Sequence, residues 1–128
     1  MIENLKRETL EAVMNTLPVD VTFVDENDEV RYFNKNGDRI FPRPRSVLGR
    51  KVQNCHPKDS LHKVQQIVDE MKAGTRDVAE FWINLRGLMV HIRYFAVRDP
   101  DGKYLGCLEV SQDITNIQKL RGEKRLLT

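Results

Sequence analysis

The side chains whose types could do chemistry fall in two places: Cys55-His56-Pro57, and a later stretch that carries His91, Tyr94, Cys107 and Glu109. A thiol and an imidazole can both bind a metal, but adjacent residues seldom reach one ion with good geometry. An isolated histidine is ordinarily a structural residue held by local hydrogen bonds, and a ligand role for His56 is the alternative. Cys55 reads as a small packing residue. No nucleophile, base and orienting acid form a set, and neither a P-loop nor a dinucleotide fingerprint occurs. Histidine-kinase motifs are absent as well. The chain is therefore expected to have no enzymatic activity of its own.

Bulk properties narrow the class. The net charge is +2, from 21 Lys and Arg against 19 Asp and Glu, which is too small for a nucleic-acid-binding footprint. With 128 residues, 40% hydrophobic and 31% charged, the composition fits one globular domain that buries its core without disulfides or metal. Two distant cysteines demand no disulfide framework, so a reducing cytoplasm is the expected setting. No apolar run is long enough to cross a bilayer, so no membrane partner is expected. The opening MIENLKRETLEAVMNTL mixes acids with its apolar residues, unlike a signal peptide.

These side chains need elements to position them. Ile2, Leu5, Thr9, Val13 and Leu17 recur at helical spacing and predict an amphipathic helix over 2–16, stopped by Pro18. Val19, Val21 and Phe23 alternate with Asp20 and Thr22 as a strand, the acidic run at 25–28 turns the chain, and 29–34 returns. From 35 to 49, Gly37, Pro42, Pro44 and Gly49 favour short helical turns over one long element. A helix capped by Asp59 follows over 60–73, with Leu61, Val64, Ile67, Val68 and Met71 as its apolar stripe and Gly74 at its end. Three antiparallel strands come next, turning at Arg86-Gly87 and at Asp99–Gly102. The last segment starts at a capping Thr115 and carries Ile117, Leu120 and Leu127 at heptad-like spacing; Gly122 weakens it.

The stretch LPVDVTFVDENDEVRYFN resembles the opening hairpin of PAS domains, down to the Asn at its end, here Asn34. SVLGRKV resembles the segment before the long PAS helix, and RDPDGKYLG with VSQDIT resembles the last two strands. The resemblance covers about residues 8–120 and rests on the order and spacing of these pieces together. CHP with EFWI and HIRYFAVRD resembles a narrower group, PAS domains attached to hemerythrin-like cation-binding proteins of bacteria and archaea. That match implies a part of a longer protein, with an effector or hemerythrin-like domain as partner. The implied fold is α+β: a five-stranded antiparallel sheet flanked by short helices and one longer helix, with amphipathic helices at both ends. The expected organisation is a single domain over 1–128, with an N-terminal helix to 17, a PAS core over 18–113 and an output helix over 114–128.

The two turns set an expected register. Arg86-Gly87 pairs Ile83 with Val90, Trp82 with His91, Phe81 with Ile92 and Glu80 with Arg93. A turn pairing Arg98 with Lys103 sets Tyr94 opposite Cys107, Ile92 opposite Glu109 and Val90 opposite Ser111. One face then carries Phe81, Ile83, Val90, Ile92, Tyr94, Cys107, Glu109 and Ser111. In flavin-binding PAS domains a glutamine two residues before the terminal Asp touches the cofactor, and Ser111 occupies that place, so the resemblance makes this face the ligand pocket. A slip of one residue would exchange the faces. Glu109 is the odd member, because a carboxylate facing an apolar cavity is costly unless paired. It either contacts a cationic or hydrogen-bonding ligand, or pairs with a local Arg or backbone group, or sits at an open sheet edge. The other face carries Trp82, His91, Phe95, Leu108 and Val110, with a rim ion pair expected between Glu80 and Arg93. Its cover would be the N-terminal helix, including Leu5 and Val13, a second subunit, or both.

Heme-binding PAS domains ligate iron through a His of the long helix. His62 lies off the apolar stripe there and should face solvent, whereas His56 could turn inward and serve as the heme ligand. The flavin photosensors read GRNCRFLQ where this chain reads GRKVQNCHP, and Ser111 replaces their glutamine, so flavin is not expected. The cofactor stays open between heme, a small organic ligand and none. The resemblance implies a sensor that relays occupancy through Asp113, Ile114 and Thr115 to the output helix. The alternatives are a ligand-free homodimerisation or protein-interaction module and a heme-based gas or redox sensor. A roomy cavity holding a buried Glu109 would favour the first, and a closed one the second.

Overall fold

The structure, a computed structural model, describes residues 1–35 and 37–127. Of Cys55 it describes the backbone, so the packing role expected of that side chain lies outside the described residues. The N-terminal segment differs from one helix over 2–16: a 3-10 turn at Ile2–Asn4 is followed by helix α1, Arg7–Thr16. Leu5 is extended between them, and Leu5 and Val13 are exposed. With little apolar surface buried, the segment lacks the packing that holds short helices together.

Strands β1 (Asp20–Asp25) and β2 (Val30–Phe33) form the first hairpin, with Asp28 at φ 65 in the turn. Among its described residues the 35–49 stretch holds only a 3-10 turn at Arg45–Val47, as its Pro and Gly spacing predicts, and a second turn covers Val52–Cys55. Val24, Val30, Val47 and Val52 pack together, with Phe33 against them. Helix α2 spans Lys58–Ala73. Its N-cap is Pro57 rather than Asp59, which sits in the first turn and favours the positive end of the helix. Gly74 closes the helix in the left-handed conformation at φ 78, as expected. Val68 and Met71 of the apolar stripe are buried.

Strands β3 (Val78–Leu85), β4 (Leu88–Arg98) and β5 (Tyr104–Asp113) complete one antiparallel sheet in the order β2-β1-β5-β4-β3. The β3–β4 register is the expected one, turning at Arg86 (φ 52) and Gly87 (φ 84). The β4–β5 register differs by two residues: Tyr94 faces Glu109, Ile92 faces Ser111 and Val90 faces Asp113. The cause is local. The turn closes through the Asp99 N–H donating to the Lys103 carbonyl at 2.9 Å, one step later than expected, and an irregularity between Val97 and Arg98 adds the second step. A shift of two keeps every side chain on its face.

Asn34 fastens the start of the fold. Its Oδ1 accepts the Val21 N–H at 2.8 Å, and its Nδ2 donates to the carbonyls of Met14 (2.8 Å) and Val19 (3.1 Å). It is 1% exposed, and its donors and acceptor are satisfied.

The expected output helix over 114–128 is not formed. Only a 3-10 turn at Ile117–Lys119 follows β5, and no other helix occurs among the described residues beyond it. Leu120 is extended, Gly122 has φ 58, and Ile117, Leu120, Leu126 and Leu127 are exposed. A short segment with Gly122 in it and nothing against its apolar stripe does not repay helix nucleation.

Candidate functional site

One face of the sheet meets α2 and the 35–57 stretch, and two spaces lie between them. An inner cavity of about 30 Å³ is lined by aliphatic residues of β1 and α2, with Cys107. That is room for about two waters. An outer cleft of about 870 Å³ runs between α2 and strands β3 to β5. His56, Val64, Ile67, Tyr94 and Glu109 line both.

Glu109 and Tyr94 are cross-strand partners, and Thr22 of β1 lies on the other side of Glu109. Arg43 reaches in from the proline-punctuated stretch. Its Nη2 lies 3.3 Å and 3.4 Å from the two Glu109 carboxylate oxygens, and its Nε donates to Thr22 Oγ1 at 3.2 Å. The Arg43 and Glu109 side chains are 15% and 14% exposed, so the pair is largely withdrawn from water. Thr22 Oγ1 also accepts from Arg39 Nη2 at 3.1 Å, and Arg39 Nη1 reaches the Asn34 carbonyl at 2.6 Å. Two guanidinium groups thus brace the wall through one hydroxyl. The carboxylate that looked anomalous in the sequence is paired with an arginine, one of its expected fates.

The same enclosure shapes the neighbouring groups. Burial holds His56 below its ordinary 6.5, with Glu109 pulling the other way. Burial, and then the Glu109 charge, raises Tyr94 well above the ordinary phenol value. The Cys107 thiol is pushed up to about 12 by burial and by Glu109. These groups are neutral at physiological pH, and the wall holds no activated nucleophile among its described residues.

Of the residues assigned to the pocket from sequence, Phe81, Ile83, Ile92, Tyr94, Cys107, Glu109 and His56 line one or both spaces. Val90 lies on the same face but is fully buried beyond them. Ser111 lines a separate polar depression with Asp20, Lys35 and Arg39. In the sheet Ser111 lies between Asp20 of β1 and Ile92 of β4, and it lines neither the inner cavity nor the cleft. His62 is exposed, as its position on the helix predicts. Sequence reasoning missed Arg43, Thr22, Phe41 and Lys63. The only available signal for Arg43 was that Glu109 needed a cation.

On the opposite face Trp82 is 63% exposed, whereas Val110 is buried and Phe95 and Leu108 are half-buried. Val110 is therefore not part of an open surface. The expected Glu80–Arg93 pair is replaced by Glu80 with His91 at 2.6 Å, while Arg93 stacks over the Phe95 ring at 5.6 Å. At the end of β5 the Thr115 hydroxyl donates to Asp113 Oδ1 at 2.6 Å and accepts from the Met89 N–H at 2.9 Å. Ile114 N–H donates to the Met89 carbonyl at 2.8 Å, so Asp113, Ile114 and Thr115 are tied to the start of β4.

An open five-stranded sheet with α2 across one face and a cleft beneath it is the arrangement of the PAS fold. The chain belongs to the PAS domain family, whose model matches residues 10–115. It is similar to a C-terminal domain from Streptococcus mutans, with 34% identity, 91% of each chain covered and a TM-score of 0.84. A sensory box sensor histidine kinase from Vibrio cholerae shares the fold at 13% identity and TM-score 0.58, covering 85% of this chain and 91% of that one. A PAS domain from Colwellia psychrerythraea does so at 13% and 0.59, covering 85% and 97%. No curated protein matches the chain. Among the described residues no helix is long and apolar enough to cross a membrane.

Proposed function

We propose that this domain senses a small organic molecule held in the cleft between α2 and the sheet, and that occupancy alters the path of the chain leaving β5. The observation that carries the reading is the cleft: about 870 Å³, with mostly apolar walls and polar groups gathered at Arg43, Glu109, His56 and Tyr94. Small-molecule sites have this size and this mixture. A route to the exit starts at Ile92, which faces the cleft and pairs with Ser111; the next pair joins Val90 to Asp113. A ligand that binds one arrangement of β4 and β5 more tightly would shift the population at Asp113-Ile114-Thr115. The receiver would be an effector or hemerythrin-like domain of a longer, cytoplasmic protein, and the chain itself would catalyse nothing.

Native mass spectrometry of freshly purified protein, with an absorption scan, tests this. A small-molecule adduct lost in Ile92→Trp supports it. A Soret band would replace it with the heme reading, in which His56 is the ligand. Bare protein whose melting temperature no member of a metabolite panel raises would remove it.

Exposed Trp82 and Val78 (46%) favour a second reading, homodimerisation through the outer face of β3. Light scattering that finds wild type and Trp82→Ala both monomeric would exclude that reading.

A further inference from the structure

We infer that the cleft selects an amphipathic anion, an aliphatic or aromatic carboxylate, over neutral or cationic molecules of the same size. This rests on the ligand-cleft reading above and adds the head group. Three groups on the wall carry charge at neutral pH: Arg43, Lys63 and Glu109. Two cations stand against one anion, so the wall is formally positive by one charge. His56, driven toward its neutral form by burial, does not change that balance.

The donors are also available. Arg43 commits Nε to Thr22 and Nη2 to Glu109, which leaves its Nη1 without a hydrogen-bond partner among the described residues. Lys63 lines the cleft, is exposed, and makes no ion pair among the described residues. The remaining Nη1 can donate a charge-assisted hydrogen bond to a carboxylate, and the Lys63 ammonium on the same cleft wall adds a second positive charge. A cationic ligand meets the reverse: its one opposite charge, Glu109, is already paired with Arg43. The body of the ligand would lie on Phe41, Phe81, Ile83 and Ile92. The cleft is open to water, so screening holds the preference to about tenfold rather than many orders of magnitude.

The test is a ¹⁵N–¹H NMR titration of the folded protein at neutral pH with octanoate, 1-octanol and octylamine, which share one tail and differ in head group. Octanoate should bind about tenfold tighter than 1-octanol, with octylamine weakest, and all should move the amides of Phe81, Ile92 and Ile67. Lys63→Glu, on an exposed helix surface, should weaken octanoate about tenfold and leave 1-octanol unchanged. Equal affinities for the three probes would overturn the anion inference and leave the ligand-cleft reading standing. Preference for octylamine would make Glu109 the recognition group and also overturn it. If no probe moves these amides, both readings fall.

Discussion

Arg43 and Glu109, 66 residues apart in sequence, meet with Nη2 at 3.3 Å and 3.4 Å from the two carboxylate oxygens. The contact ties the irregular stretch after the first hairpin to the last strand. It also decides what the acid on the cleft wall does: Glu109 holds Arg43 in place. Arg43→Ala leaves that carboxylate largely buried without a cation and should destabilise the domain by about 1–3 kcal/mol in urea unfolding. Glu109→Gln keeps a hydrogen-bond acceptor and should cost less. In a double-mutant cycle the pair should couple by roughly 0.5 kcal/mol or more. Strictly additive single effects would show that the two side chains act independently.

The fold was largely legible in the sequence because its signals are local. Alternation wrote the strands, Arg86-Gly87 fixed the β3–β4 register, and Gly74 marked the end of α2. A period of two also protected the face assignments: the β4–β5 register moved by two, and Glu109 stayed beside Tyr94's side of the sheet. The site was half legible. The strand residues lining the cleft could be counted from turns, but Arg43 reaches Glu109 from a stretch with no period, and Thr22 comes beside Glu109 only through the pairing of two distant strands, β1 and β5. The exit segment misled because heptad-like spacing describes a helix that needs a partner surface, and Ile117 and Leu120 have none here.

His56 supplies a pH test. Burial lowers its folded-state pKa below the ordinary 6.5, so as pH falls the unfolded chain takes up the proton first. The stability this group contributes is complete above about pH 6.5 and is lost as pH falls through the lower folded-state value. His56→Gln should therefore flatten the fall in melting temperature below that pH relative to wild type. Parallel profiles for the two proteins would contradict the placement of His56 in a desolvated wall.

Cys107 is 6% exposed with its thiol pushed up to about 12. In a Cys55→Ser background, which leaves Cys107 as the single thiol, a disulfide reagent at mildly alkaline pH should react far more slowly than with a free cysteine, and rapidly once urea unfolds the chain. Fast reaction of the folded protein would mean that β5 is open at this point.

At Gly106 the neighbouring strand β1 leaves no room for a side chain. The glycine has φ 153, and a Cβ there would fall on the Val24 carbonyl oxygen and against the Phe23 ring. Backbone and an aromatic ring cannot both give way, so Gly106→Ala should destabilise by about 3 kcal/mol or more. Gly102→Ala, with open space around its Cβ but φ 88, should cost about 1 kcal/mol. Equal costs would contradict the close approach.

The central claim is that the space beneath α2 receives a ligand, and a crystal structure of the protein grown with octanoate tests it most directly. The expected result is density for the chain between α2 and the sheet, its tail against Phe81 and Ile92 and its carboxylate beside Arg43 and Lys63. A cleft closed by Val64 and Ile67 packed down onto Ile92, with octanoate absent or lying on the outer face near Trp82, would contradict it.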